Sequence, residues 1–175
     1  MKYACVAAIF VSALCAPVYA QSIPEKTGIN STLGIAPKTA DFVKEAAISD
    51  MFEIESSKLA QTKAEGASKS FAEHMVMDHS KTSAELKQLV SAGGVKAEIP
   101  TTMDSAHQSK LNKLKSLNGA DFTKQYNSDQ VAAHKDAVNL FERYSKGGEN
   151  AELKAWASKT LPALQQHLKM AQELK

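Results

Sequence analysis

Residues 68–93 constrain the fold more than any other stretch, because their apolar residues recur with the period of an α-helix. The residues that share one helix face, spaced three or four apart, are Phe71, Met75, Asp78, Thr82, Leu86 and Leu89. This apolar face includes the acid Asp78, and His79 lies beside it. An amphipathic helix buries its apolar face against neighbouring elements. The stretch therefore predicts a helical bundle with ionisable groups in or near its core.

Three more segments have helical periodicity, at residues 39–65, 121–146 and 149–174, and a shorter one lies at residues 104–117. Glycine and proline are scarce, at 8 and 5 residues, which favours helices. About 25 residues separate the second and third long helices, enough for a crossover along a bundle but too many for a tight hairpin. Residues 39–174 are thus predicted to form one all-α domain, a ferritin-like four-helix bundle with a short extra helix in its long middle crossover.

Residues 1–20 have the features of a signal peptide: a basic N-terminal residue, a short apolar run and small residues before an expected cleavage after Ala20. Both cysteines, Cys5 and Cys15, lie within it, so the exported chain would have no thiol. Residues 21–38 mix Pro, Gly, Ser and Thr and are expected to be a flexible lead-in. We expect export to the periplasm of a Gram-negative bacterium, and nothing in the sequence supports outer-membrane association.

Charge and motif content argue against several classes of function. The formal net charge is only +2, whereas a nucleic-acid-binding protein needs a basic excess on one face. No Gly-x-Ser-x-Gly elbow and no phosphate-binding glycine loop occur in the sequence. No catalytic motif is therefore recognised, and an enzymatic role is not predicted. No protein partner can be named from the sequence.

The polar residues on the apolar helix faces form a candidate metal site. Glu53 falls near the centre of the first long helix's face, and His167 lies well inside that of the last. His79 lies to one side of its own stripe, next to Asp78, and His134 lies at the edge of the third helix's stripe. Imidazoles and carboxylates together suit zinc, iron, manganese or copper(II). We therefore predict that one transition-metal ion binds in the core, with Asp78 as a ligand or as the acceptor that orients a histidine.

Other interpretations of these residues remain open. Buried carboxylates and histidines also form metal-free hydrogen-bond networks that satisfy a polar core, and His134 could equally be half-exposed at the surface. A copper site in the run from His74 to His79, with Met75 and Met77 as further ligands, is less favoured, because one helix cannot direct these residues to one point. A di-iron ferritin site is not expected, because it requires two Glu-x-x-His motifs and the chain contains none.

Four segments together resemble a known bacterial family: residues 53–60 (EIESSKLA), 71–79 (FAEHMVMDH), 122–134 (FTKQYNSDQVAAH) and 161–171 (LPALQQHLKMA). The family is the "domain of unknown function 4142". The resemblance implies an exported protein with a ferritin-like fold, of a kind often labelled outer-membrane protein, but it implies no established activity. The family's recurring polar positions correspond here to Glu53, Asp78, His79, His134 and His167.

Two functional hypotheses follow from the sequence. In the first, the exported bundle binds a single metal ion and serves in metal handling or stress protection. In the second, the bundle is a metal-free structural or stress-response interaction module, and the same Glu and His residues form a buried hydrogen-bond network.

Overall fold

The computed structural model describes residues 29–174, so the predicted signal peptide lies outside the described residues. These residues are helical or irregular, and no strand occurs among them, as an all-α fold requires. A short helical turn, Ile29–Thr32, precedes five helices. Their bounds are α1 Thr39–Lys63, α2 Gly66–Ser91, α3 Ser105–Ser116, α4 Gly119–Gly147 and α5 Ala151–Glu173.

The predicted helix ends lie within about two residues of these bounds. For the second helix the sequence predicts a start at Ser68, and α2 begins two residues earlier, at Gly66, which has a φ of +55°. Ser68 therefore lies inside the helix and donates its Oγ hydrogen to Asn127 Oδ1 on α4 at 3.0 Å.

The four long helices pack in a ring in which α1 contacts α2 and α4, and α5 contacts α4 and α2. The contact between α2 and α5 is the least extensive of these four. Only two residues connect α1 to α2, so those helices are antiparallel. The shorter helix α3 belongs to the long connection from α2 to α4 and packs against α1 and α4. No helix in the described range combines the length and apolar content needed to span a bilayer.

Two apolar clusters fill the core, one at each end of the long helices. The Trp156 cluster contains Phe42, Val43, Ala46, Ala47, Leu86, Val95, Ala137, Leu140, Phe141, Tyr144, Leu153, Trp156, Ala157 and Leu164. The Phe71 cluster contains Phe52, Ala60, Ala64, Phe71, Ala72, Met75, Leu111, Leu114, Phe122, Tyr126, Ala133 and Ala171. Each long helix contributes to both clusters, so α1 and α5 run from the Trp156 cluster towards the Phe71 cluster, while α2 and α4 run in the opposite direction.

The candidate site residues lie between the two clusters. On α2, His79 follows Met75 of one cluster and precedes Leu86 of the other, and on α5 His167 lies between Leu164 and Ala171. Their positions in the sequence therefore place the polar residues at one level, near the middle of the bundle. Apolar packing on both sides fixes the register of the helices at this level.

The segment that precedes α1 contacts α4. Ser31 Oγ donates a hydrogen bond to Asn139 Oδ1 at 2.9 Å, and Arg143 Nη1 donates one to the carbonyl oxygen of Ile35 at 2.6 Å. This part of the predicted lead-in is thus attached to the bundle surface, at the end where the Trp156 cluster lies.

Candidate metal centre

Three histidines from three different helices meet in the interior of the bundle. His79 lies on α2, His134 on α4 and His167 on α5, and all three are buried. Their ring centroids are separated by 5.6, 5.6 and 5.5 Å. One ring nitrogen from each lies within 4.8 Å of the corresponding nitrogens of the other two. Small side-chain adjustments would let a single ion bind all three, because metal–nitrogen bonds are about 2.0–2.1 Å long.

Each histidine has an acceptor for one of its ring nitrogens. His79 Nδ1 lies 2.7 Å from Asp50 Oδ1, and His134 Nδ1 lies 2.9 Å from the carbonyl oxygen of Gln130. His167 Nε2 lies 2.9 Å from Asp78 Oδ2. A neutral imidazole that donates from one nitrogen has its lone pair on the other. When the rings are neutral, these acceptors therefore fix the tautomers and direct a lone pair from each ring towards the other two histidines, as the outer partners of metal-bound histidines do.

The inner nitrogens have nothing to bond to. His79 Nε2, His134 Nε2 and His167 Nδ1 are buried and lack a hydrogen-bond partner within the described residues. The Glu53 carboxylate has only a weak side-chain contact, with Gln130. Buried polar atoms are nearly always paired, because an unpaired one loses its hydration without compensation. Three unpaired ring nitrogens at one level of the core are therefore unusual, and a bound cation would satisfy them.

Glu53 is the contribution of α1 to this level of the bundle. Its carboxylate is almost completely buried, and Oε1 lies 3.9 Å from His134 Nδ1. The carboxylate lies near the three histidines, but its oxygens are not among the ligand atoms that lie within 4.8 Å of one another. Burial raises the pKa of Glu53 to about 7, although the charge of protonated His79 opposes this effect. The carboxyl group is thus partly protonated near neutral pH in the metal-free protein.

The histidines divide into two types. Burial, together with the positive charge of His79, lowers the pKa of His134 and of His167 to about 4. These two rings are therefore neutral at physiological pH, as metal ligands must be. Burial also lowers the pKa of His79, but the hydrogen bond that His79 donates to Asp50 and the negative charge of Asp50 outweigh that effect, and the net pKa lies above the usual value.

Asp50 is the functional residue that the sequence analysis missed. It is buried on α1, and besides His79 it is contacted by Thr82 Oγ1, at 3.0 Å from Oδ1 and 2.9 Å from Oδ2. Its spacing, four residues after Ala46 and three before Glu53, does place it on the buried face of α1. That periodicity could have identified Asp50 as a core carboxylate, although its contact with α2 depends on how the helices pack.

The remaining predicted residues are placed as follows. His134 is almost completely buried, so its interpretation as a half-exposed surface histidine is wrong. Asp78 was placed within an apolar face, but 39% of its side chain is exposed, and it contacts the cluster through His167. Met75 is buried, whereas His74 and Met77 are exposed, so these three residues point in different directions.

We predict that Glu53→Gln stabilises the metal-free protein at alkaline pH. The folded pKa of Glu53, about 7, is higher than its ordinary value of 4.5, so stability from the protonated form is complete below pH 4.5 and is lost as the pH rises through 7. The glutamine variant should escape this loss, which is on the order of 3 kcal/mol at pH 8. Urea unfolding with a chelator present at pH 4 and pH 8 measures the difference. If Glu53→Gln were stabilised by the same amount at pH 4 and at pH 8, the raised pKa of Glu53 would be contradicted.

Comparison with known proteins agrees with the resemblance in the sequence. No curated protein and no solved structure gives a significant match to the chain. The family model described as "Domain of unknown function (DUF4142)" matches residues 24–174, a range that includes the three histidines, Glu53 and the acceptors behind the imidazole rings. The chain therefore belongs to the DUF4142 family.

Proposed function

We propose that this protein binds one transition-metal ion in the middle of its helical bundle, through His79, His134, His167 and Glu53. The observation that carries the proposal is the arrangement of the three imidazoles. Each ring is held by an acceptor on its outer side, and each has a buried, unpaired nitrogen on the side that faces the other two. A purely structural histidine needs its acceptor but gains nothing from an unpaired second nitrogen.

The donor set limits which ion can bind. Three neutral imidazoles and one carboxylate suit zinc, iron, manganese or copper(II), whereas calcium and magnesium prefer oxygen ligands throughout. A bound divalent ion would supply positive charge beside Glu53, whose ionised form burial disfavours. It would also act as a Lewis acid. The chain's own contribution is to hold the four side chains in place and to exclude bulk water from them.

We also propose that the bundle is ferritin-like, with a mononuclear rather than a di-iron centre. In support, α1 and α5 run in one direction, α2 and α4 run in the other, and a long connection carrying α3 joins α2 to α4. Ferritin-like bundles have one such crossover. The ligands come from all four long helices, but the Glu-x-x-His repeats of di-iron proteins do not occur in the sequence. We infer a single ion for this reason.

We also propose that the protein is exported to the periplasm. Residues 1–20 have the composition of a signal peptide, and both cysteines lie within them. In the periplasm, a protein with a buried metal site and no thiols would serve in metal handling or in protection against metal-linked stress. This role is the physiological part of the proposal.

The metal-free alternative rests on two carboxylate–histidine pairs. Asp50 with His79 and Asp78 with His167 would stabilise the core without any ion, because each pair satisfies polar groups with a hydrogen bond. Such a network should also pair the inner atoms of the cluster. The Glu53 carboxylate has a weak side-chain contact with Gln130, but the inner nitrogens of the three rings lack a partner among the residues described. The metal hypothesis explains these unpaired atoms, and the alternative leaves them unexplained.

We predict that added metal raises the melting temperature of the chelator-treated protein. At an ion concentration near 100 times Kd, binding should contribute about 2.7 kcal/mol, which corresponds to about 5–10 °C for a domain of this size. Scanning calorimetry with zinc, manganese, iron(II) and copper(II), added one at a time, measures the shift and ranks the ions.

Two substitutions distinguish the metal-binding function from the metal-free hydrogen-bond network. His167→Ala should abolish the metal-induced shift, because it removes one of the three inner nitrogens. His74→Ala is the matched control, because His74 is an exposed histidine on α2 and should leave the shift unchanged. If His167→Ala merely lowers the melting temperature by the same amount with and without each ion, the metal-free network is correct.

We further predict that metal binding releases protons and weakens as the pH falls below 7. Glu53, with a pKa near 7, and His79, with a raised pKa, are the groups that carry protons in the metal-free protein. His134 and His167, with pKa values near 4, are already neutral. Binding at pH 6.5 should therefore release about one to two protons. Titration calorimetry in buffers of different ionisation enthalpy measures this number, and a value of zero would contradict the assigned ligands.

A further inference from the structure

An ion that reaches the three inner nitrogens must pass through the wall of the bundle, because every proposed ligand is buried. The outer partners of the histidines differ sharply in their access to solvent. The side chain of Asp50, behind His79, is only 9% exposed, and Gln130, behind His134, is fully buried. Asp78, behind His167, has 39% of its side chain exposed. Among the described residues, Asp78 is thus the acceptor that touches both the cluster and the solvent.

The surroundings of Asp78 favour passage of a cation at this point. Asp78 lies on α2 and bonds to His167 on α5, and the contact between these two helices is the least extensive in the ring. His74 lies one helical turn before Asp78, on the same face of α2, and is exposed. A carboxylate and an imidazole spaced i and i+4 on a helix are both donors that divalent transition metals accept. The surface of α2 therefore presents two donors one helical turn apart, and one of them, Asp78, contacts His167.

We propose that His74 and Asp78 form the entry point of the metal site, and this proposal rests on the function proposed above. An incoming divalent ion first contacts the exposed His74 and Asp78. Asp78 then releases His167 Nε2, and the freed His167 ring turns, so that the ion passes between α2 and α5 to the inner nitrogens. Asp78 returns to His167 once the ion is bound. In this role Asp78 acts on the rate at which metal enters and leaves, and it is not a ligand in the final complex.

The experiment is stopped-flow uptake of cobalt(II), which accepts nitrogen and oxygen donors and changes its visible absorption when it enters a protein site. Asp78→Asn is the informative variant, because the asparagine oxygen still accepts a hydrogen bond from His167 Nε2 while the negative charge is lost. His74→Ala removes the second donor. Met77→Ala is the matched control, because Met77 is exposed on the same helix, next to Asp78, and offers no charge.

An entry role predicts that Asp78→Asn slows association by roughly fivefold, because the charge that attracts the ion at the surface is lost. The same substitution removes the charge behind His167, so it should also weaken the bound state. His74 is not part of the metal site, so His74→Ala should slow association and dissociation by the same smaller factor and leave Kd unchanged, and Met77→Ala should change neither rate. Association should also become less sensitive to ionic strength in Asp78→Asn.

Two results would overturn the entry role while leaving the metal site intact. Faster dissociation with unchanged association would make Asp78 a group that holds the bound state together. Unchanged rates in both directions would place the route elsewhere. A parent protein that takes up neither cobalt(II) nor zinc(II) would instead overturn the proposed metal site itself, and the entry route with it.

Discussion

The hydrogen bonds that orient the three buried imidazoles are the interaction on which the rest of the site depends. Each ring is fixed by an acceptor of different origin: the carboxylate of Asp50 on α1, the backbone carbonyl of Gln130 one turn earlier on α4, and the carboxylate of Asp78 on α2. Two of the three bonds cross between helices, so they form only when the helices are in register. The apolar clusters on either side of this level provide that register, and in this way the packing of the core determines the chemistry at its centre.

A polar level in the middle of a hydrophobic core lowers the stability of the metal-free protein. Burial opposes the ionised form of Glu53 and the protonated forms of His134 and His167, and the inner nitrogens of these two rings have no partner among the described residues. Evolution commonly retains such unfavourable groups where function requires them. An ion that binds only the folded state would recover this stability, because its binding free energy adds to that of folding. Folding and metal binding are then coupled through the same few side chains.

Helical periodicity predicted most of the fold, because α2, α4 and α5 each have an apolar face, whereas the buried side of α1 also carries acids and serines. The same periodicity placed Glu53 and His167 in the core. It underestimated the burial of His134, because α4 is covered by both α1 and α5 and therefore buries a wider arc than a single stripe indicates. The role of Asp50 was not predictable from one helix, because its partner His79 lies on another. The spacing that exposes Asp78 at the seam between α2 and α5 is likewise a property of the assembled bundle.

The most direct test of the central claim is the metal content of the protein purified without a histidine tag, measured by inductively coupled plasma mass spectrometry beside a Glu53→Ala/His167→Ala double variant. The account predicts close to one equivalent of a single transition metal in the parent protein and a loss of that metal in the variant. A parent protein that is empty, and that stays empty after incubation with zinc, iron, manganese and copper, would contradict it.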